Sequence, residues 1–175
     1  MSKRFWGKDD TEDAMRFAIT AALLGGMYSS FPACAADNEL AGTYRLVVEQ
    51  RTIVDTGEIV PVKNPQGYIM YGHDGWMSAI VVRNPRPKPQ SIEKTTDQER
   101  ADLFRTMTAY AGTYKFDGSK VEHHIDISWN EVWTGTTQVR SVKRDGERLV
   151  YTTPPFHFHT DGKMSINTLI WEKVK

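Results

Sequence analysis

Cysteine is all but missing. The 175 residues hold one, Cys34, so no intramolecular disulfide can staple the fold and no cysteine cluster can hold zinc. Net charge is missing too. Lys plus Arg and Asp plus Glu stand at 22 each. A chain without a long-range field, and without a Lys/Arg run, is not built to attract a polyanion, so nucleic acid is not expected as a partner. Long apolar runs are absent except over residues 17–27 (FAITAALLGGM). That run is too short to span a bilayer, so no transmembrane span is expected. The chain also lacks a nucleophile elbow, a phosphate-binding glycine loop, a dinucleotide fingerprint and an EF-hand, and no cofactor is expected. What it has is aromatic: five Trp, seven Tyr and seven Phe. That is too many for a disordered chain, in a length that allows one domain with a real core.

The apolar run reads as the middle of a secretory signal. Arg16 precedes it, Tyr28-Ser29-Ser30-Phe31-Pro32 breaks it, and Ala33-Cys34-Ala35 supplies a small-x-small cleavage pattern. The expected division is a leader over residues 1–36 and one domain over 37–175, with the mature protein periplasmic or secreted. Residues 1–14 carry an acidic stretch unusual ahead of such a run, and Met15 makes a more normal start. Two other readings remain: an amphipathic helix docked on the domain, and a degenerate lipobox, Phe31-Pro32-Ala33-Cys34, with a lipid anchor on Cys34.

Beyond Leu40, strand signals recur at short intervals: residues 44–50, 68–71, 76–82, 113–116, 121–129, 136–143, 148–153 and 166–174. Asp74-Gly75, Asp117-Gly118 and Asp145-Gly146 punctuate them as hairpin turns. Residues 83–89 (RNPRPKP) cannot be a central strand. Residues 97–110 give the one helix signal, with Thr96 or Asp97 as N-cap and Leu103, Phe104 and Met107 as an apolar stripe. Short strands in a meander, with one helix, hide their edges by closing, so the expected fold is all-β: a closed antiparallel up-and-down β-barrel.

These residues also carry a resemblance. Leu40-Ala41-Gly42-Thr43-Tyr44-Arg45-Leu46 looks like the opening Gly-x-Trp box of lipocalin-type barrels, with Tyr44 in the aromatic place. Gln66-Gly67-Tyr68-Ile69-Met70-Tyr71, Asp74-Gly75-Trp76-Met77-Ser78, Tyr110-Ala111-Gly112-Thr113-Tyr114, Val121-Glu122-His123-His124-Ile125, Gly135-Thr136-Thr137-Gln138-Val139-Arg140 and Tyr151-Thr152-Thr153-Pro154-Pro155 follow in the order of the bacterial and fungal lipocalin-like domain family. The resemblance implies a calycin-type barrel. It implies less about activity, since some fungal relatives act as cofactor-free cyclases or isomerases.

Strand alternation sorts the chemistry-bearing side chains. Along residues 121–129 the apolar face, Val121, Ile125, Ile127 and Trp129, carries His123 inward and leaves His124 outward. His123 is then either a core histidine bonded to a carbonyl or hydroxyl, or a ligand or acid/base group. Along residues 136–143, Lys143 marks the wet face and puts Gln138 and Arg140 inside. A buried guanidinium needs a carboxylate, carbonyls or an anionic ligand. Tyr68, Tyr71, Trp76, Tyr114, Trp129, Trp133 and Tyr151 supply flat walls with polar tips, and Tyr68, Trp76, Tyr114, Trp129 and Tyr151 of these complete the candidate ligand-binding set. His157 and His159 share a strand face but lack a third ligand at a diagnostic offset, so no metal site is expected.

Three functions are compatible with these features. The barrel binds a small hydrophobic or aromatic molecule. Alternatively it is a cofactor-free lyase, isomerase or cyclase using His123 or a tyrosine with Arg140, or a filled barrel whose surface meets a protein.

Overall fold

The computed structural model describes residues 40–158 and 161–175. The expected leader, with its apolar run and Cys34, lies outside them, as does His159. Among the described residues ten antiparallel strands follow one another: β1 (Gly42–Ile53), β2 (Ile59–Pro61), β3 (Gln66–Tyr71), β4 (Trp76–Val82), β5 (Met107–Phe116), β6 (Lys120–Ser128), β7 (Thr137–Asp145), β8 (Arg148–Thr152), β9 (Phe156–His157) and β10 (Met164–Lys173). The sheet order is β2-β1-β3-β4-β5-β6-β7-β8-β10-β9, and β1 also pairs with β10. That last pairing closes β1, β3–β8 and β10 into a barrel, and the short β2 and β9 extend one seam each. Closure leaves the eight long strands no free edge. Among the described residues no helix is long and apolar enough to cross a membrane.

One end of the barrel is solid. Tyr44 and Leu46 of β1, Ile69 of β3, Met77 of β4, Tyr114 of β5, Val121 of β6, Leu149 of β8 and Trp171 of β10 pack into a single buried cluster. Each comes from the inward-facing set of its strand, so period-two patterning alone assembles this half.

The other end depends on two breaks in that period. Between Leu46 and Val48 the β1–β10 register slips. Side chains inward at even positions up to Leu46 are inward at odd positions from Glu49, so Glu49, Arg51 and Ile53 are all buried. Between Ala111 and Gly112 the β5–β6 register slips as well, with Gly112 opposite Ile125 and Ala111 opposite Ile127. This bulge turns Ile127 out to solvent, where it is 67% exposed, against the inward position that strict alternation predicts. Gly112 permits it: a Cβ there would stand 1.9 Å from the His124 carbonyl oxygen.

The helix, α1 (Asp97–Arg105), is shorter than its sequence signal. Thr96 and Glu99 form a reciprocal capping box at its start. It stops at Arg105, and Met107 and Tyr110 belong to β5, where Tyr110 pairs with Ala79 and Ser128. Barrel closure outcompetes the helical stripe. No residue of α1 is buried, so its stability is local. Thr96→Ala removes the cap at about 1 kcal/mol. Amide exchange in α1 should then quicken about fivefold while the barrel amides hold their rates.

Candidate functional site

Above the solid end, the interior opens into a cavity of about 90 Å³. Its apolar wall includes Ile69, Ala79, Val81, Leu169 and Trp171, and its polar wall includes Tyr110, His123, Arg140, Tyr151 and Asn167. Glu49, Arg83 and Thr108 also line it.

A chain of side-chain hydrogen bonds crosses the floor. Tyr151 Oη lies 3.0 Å from Tyr71 Oη. Tyr71 Oη lies 2.7 Å from His123 Nε2, and His123 Nδ1 lies 3.1 Å from Tyr110 Oη. The strands explain the convergence: Tyr114 pairs with His123 across β5–β6, and Tyr110 stands four residues earlier on β5, on the same inward face. Desolvation, reinforced by the charge of Arg140, pushes the His123 imidazole down to about 3. Burial raises the Tyr71, Tyr110 and Tyr151 hydroxyls above their ordinary value, while Arg140 pulls Tyr71 and Tyr110 the other way. Around neutral pH the ring and the three hydroxyls are therefore all uncharged.

Two guanidinium groups border the same space and differ in what they hold. Arg83 grips Glu49: Nε donates to the two carboxylate oxygens at 3.0 and 3.1 Å, and Nη2 to Oε1 at 2.7 Å. Its Nη1 reaches Thr108 Oγ1 at 3.1 Å. The Glu49 side chain is 2% exposed, so this pair is a satisfied, nearly buried ion pair. Arg140 donates Nη1 to the Val139 carbonyl at 2.8 Å, and no carboxylate among the described residues pairs with it. Two more polar atoms of the wall, Trp171 Nε1 and Asn167 Oδ1, are buried without a hydrogen-bond partner.

Aromatic rings run outward from Tyr110. Its ring centroid lies 5.7 Å from that of Trp133, Trp133 lies 4.9 Å from Trp129, and Trp129 lies 6.3 Å from Phe104 of α1. A single 3-10 turn, Glu131–Trp133, capped by the Asn130 side chain, holds Trp133 at the cavity wall.

Of the residues singled out from sequence, His123, Arg140 and Tyr151 line the cavity. Tyr114 is buried beneath it, its hydroxyl donating to the Gly72 carbonyl at 2.9 Å. Gln138 stands opposite His123 across β6–β7 and donates to Thr136 Oγ1. Trp129 belongs to the outer ring cluster rather than to the interior, because the β6 bulge shifts its side of the sheet. Tyr68 and Trp76 are corrections: they are 46% and 55% exposed on the outer face. Their strands turn Ile69, Tyr71, Met77 and Ala79 inward instead. Tyr110, Asn167 and Trp171 are cavity residues that the sequence reading does not single out. Tyr110 had been absorbed into the helix signal, although Thr108, Tyr110 and Tyr114 keep the period of two that would have found it. His124 faces out, with Nδ1 2.8 Å from Thr137 Oγ1, and His157 Nδ1 donates to the Gly162 carbonyl at 3.0 Å.

Residues 41–174 match the lipocalin-like domain family. A crystal structure of a lipocalin-like protein from Bacteroides uniformis aligns at 16% identity and a TM-score of 0.41, covering 78% of this chain and 99% of that one. No curated protein matches the chain.

Proposed function

This chain belongs to the lipocalin-like domain family, and on that premise we propose that its barrel binds a small aromatic molecule by one polar end. The supporting observation is the polar wall: Trp171 Nε1 and Asn167 Oδ1 are buried there without the hydrogen-bond partners such groups require, and the half-buried Arg140, bonded to the Val139 carbonyl, has no carboxylate partner among the described residues. At about 90 Å³ the void is smaller than the roughly 150 Å³ cavity that admits benzene. It is also well below the ~300–1,000 Å³ of a drug-sized site. The ligand therefore inserts a head group, and its remainder lies against the rings that lead outward from Tyr110.

Calorimetric titration with phenol tests this reading. We expect saturable one-to-one binding that is lost when Leu169→Trp fills the void in a barrel that still folds. Binding unchanged in that variant would overturn it.

A cofactor-free isomerase, lyase or cyclase remains the second reading, favoured by the tyrosine–histidine chain. In that case the group presented to a substrate is Tyr110. Both ring nitrogens of His123 are engaged, and a ring held neutral down to about pH 3 makes a poor general base. The leader supports export to the periplasm or beyond. N-terminal sequencing of native protein should find a start just after Ala35; a start at Met1 or Met15 would remove that assignment.

A further inference from the structure

We infer that the cavity selects its ligand in ionised form, as a small aromatic oxyanion whose charged oxygen lies among the Arg140 guanidinium, the Tyr110 hydroxyl and the Trp171 indole N–H. This rests on the cavity being a ligand site.

The surplus of donors in the cavity wall carries the argument, and one order of the hydrogen-bond chain adds Tyr110 to it. Each tyrosine has one proton to donate, and a neutral imidazole has one donor and one acceptor nitrogen. Two opposite proton orders fit this chain, and the proposed site uses the one that runs toward Tyr110: Tyr151 gives its proton to Tyr71, and Tyr71 gives its own to His123 Nε2. The ring proton is then on Nδ1 and goes to the Tyr110 oxygen. Tyr110 is left with its O–H unspent, in the cavity wall. Donation into the Tyr110 oxygen and onward from its proton polarises that terminal O–H. Protonating the ring would break this order, and burial beside Arg140 opposes it.

Trp171 Nε1 can only donate, and it is buried without an acceptor. Arg140 spends one N–H on Val139. Asn167 can offer either end of its amide. The titratable and charged groups facing the space are Glu49 from β1, Arg83 after β4, Tyr110 from β5, His123 from β6, Arg140 from β7 and Tyr151 from β8. Glu49 is the one carboxylate among them, and Arg83 spans both its oxygens. The wall is therefore rich in donors with one cation left over, and what completes it is an acceptor bearing negative charge.

The test uses 4-nitrophenol, whose visible band separates phenol from phenolate, with nitrobenzene as the neutral counterpart. With wild-type protein at a pH about one unit below the free phenol's pKa, the bound probe should show the phenolate band, its pKa lowered by at least about one unit. Tyr110→Phe and Arg140→Met keep most of their packing. Each should weaken phenolate binding about tenfold or more and weaken nitrobenzene, which brings no charge to the wall, by less than about threefold. Nitrogen NMR of wild-type His123 should find the proton on Nδ1. If nitrobenzene binds but the phenol keeps its free pKa, or if the proton is on Nε2, this inference falls and the ligand site stands. If neither probe binds, both fall.

Discussion

Replacing Arg83 by methionine should lower the unfolding free energy by about 3 kcal/mol. The substitution strands Glu49, whose carboxylate has lost its contact with water and depends on three hydrogen bonds from Arg83. Breaking one side of a buried pair costs ~3–5 kcal/mol. The partial exposure of Arg83, 29% of its side chain, puts this case at the lower end. Urea unfolding of Arg83→Met should show the loss, and Glu49→Leu combined with Arg83→Met should recover most of it, since the stranded charge is then gone. A single variant within about 0.5 kcal/mol of wild type would mean that Glu49 is not buried as described, and with it that β1 does not slip register after Leu46.

Acidification should unfold the barrel ahead of its carboxylates. His123 is neutral when folded, with a value of about 3, and titrates near its ordinary 6.5 when unfolded. Between those values the unfolded state binds one more proton, so stability is fully present above about pH 6.5 and falls as pH drops. From pH 6.5 to 4.5 the loss should be about 2 kcal/mol, the linkage of a single group that stays unprotonated in the fold. The depressed carboxylates Glu93, Glu99, Asp117 and Asp161 add their losses lower, below the ordinary carboxylate range. Denaturant unfolding at intervals of half a pH unit should yield a slope approaching one proton in this window. His123→Gln should flatten it. A slope unchanged in that variant would place the titrating group elsewhere.

What the sequence shows of this fold is the part that obeys a period of two. Asp-Gly turns separate runs of alternating residues, and wherever alternation is unbroken the inward set is the true one: His123 in and His124 out, Arg140 in and Lys143 out. Two one-residue slips escape such a reading, because a bulge adds a residue without leaving a composition signal. The slip in β1 brings Glu49 and Arg51 inside, and the slip at Gly112 sends Ile127 out and moves Trp129 to the outer rings. Both build the polar half of the barrel, so the site is less legible than the core. Gly112 is the nearest thing to a written cue, since a backbone contact that admits no Cβ demands glycine. Tyr68 and Trp76 misled for a different reason. Large aromatics suggest an interior, but with Met70 and Ile80 they form an outer face, and closure of the barrel hides strand edges without hiding the outward side chains.

The most direct measurement is a set of intermolecular NOEs from 4-nitrophenol to the isotopically labelled protein. If the interior is the ligand site, the probe's protons should contact Leu169, Tyr110, Trp171 and Trp133. Contacts to Tyr68, Met70, Trp76 and Ile80, with none to the interior set, would contradict it and shift the function to the outer face of the sheet.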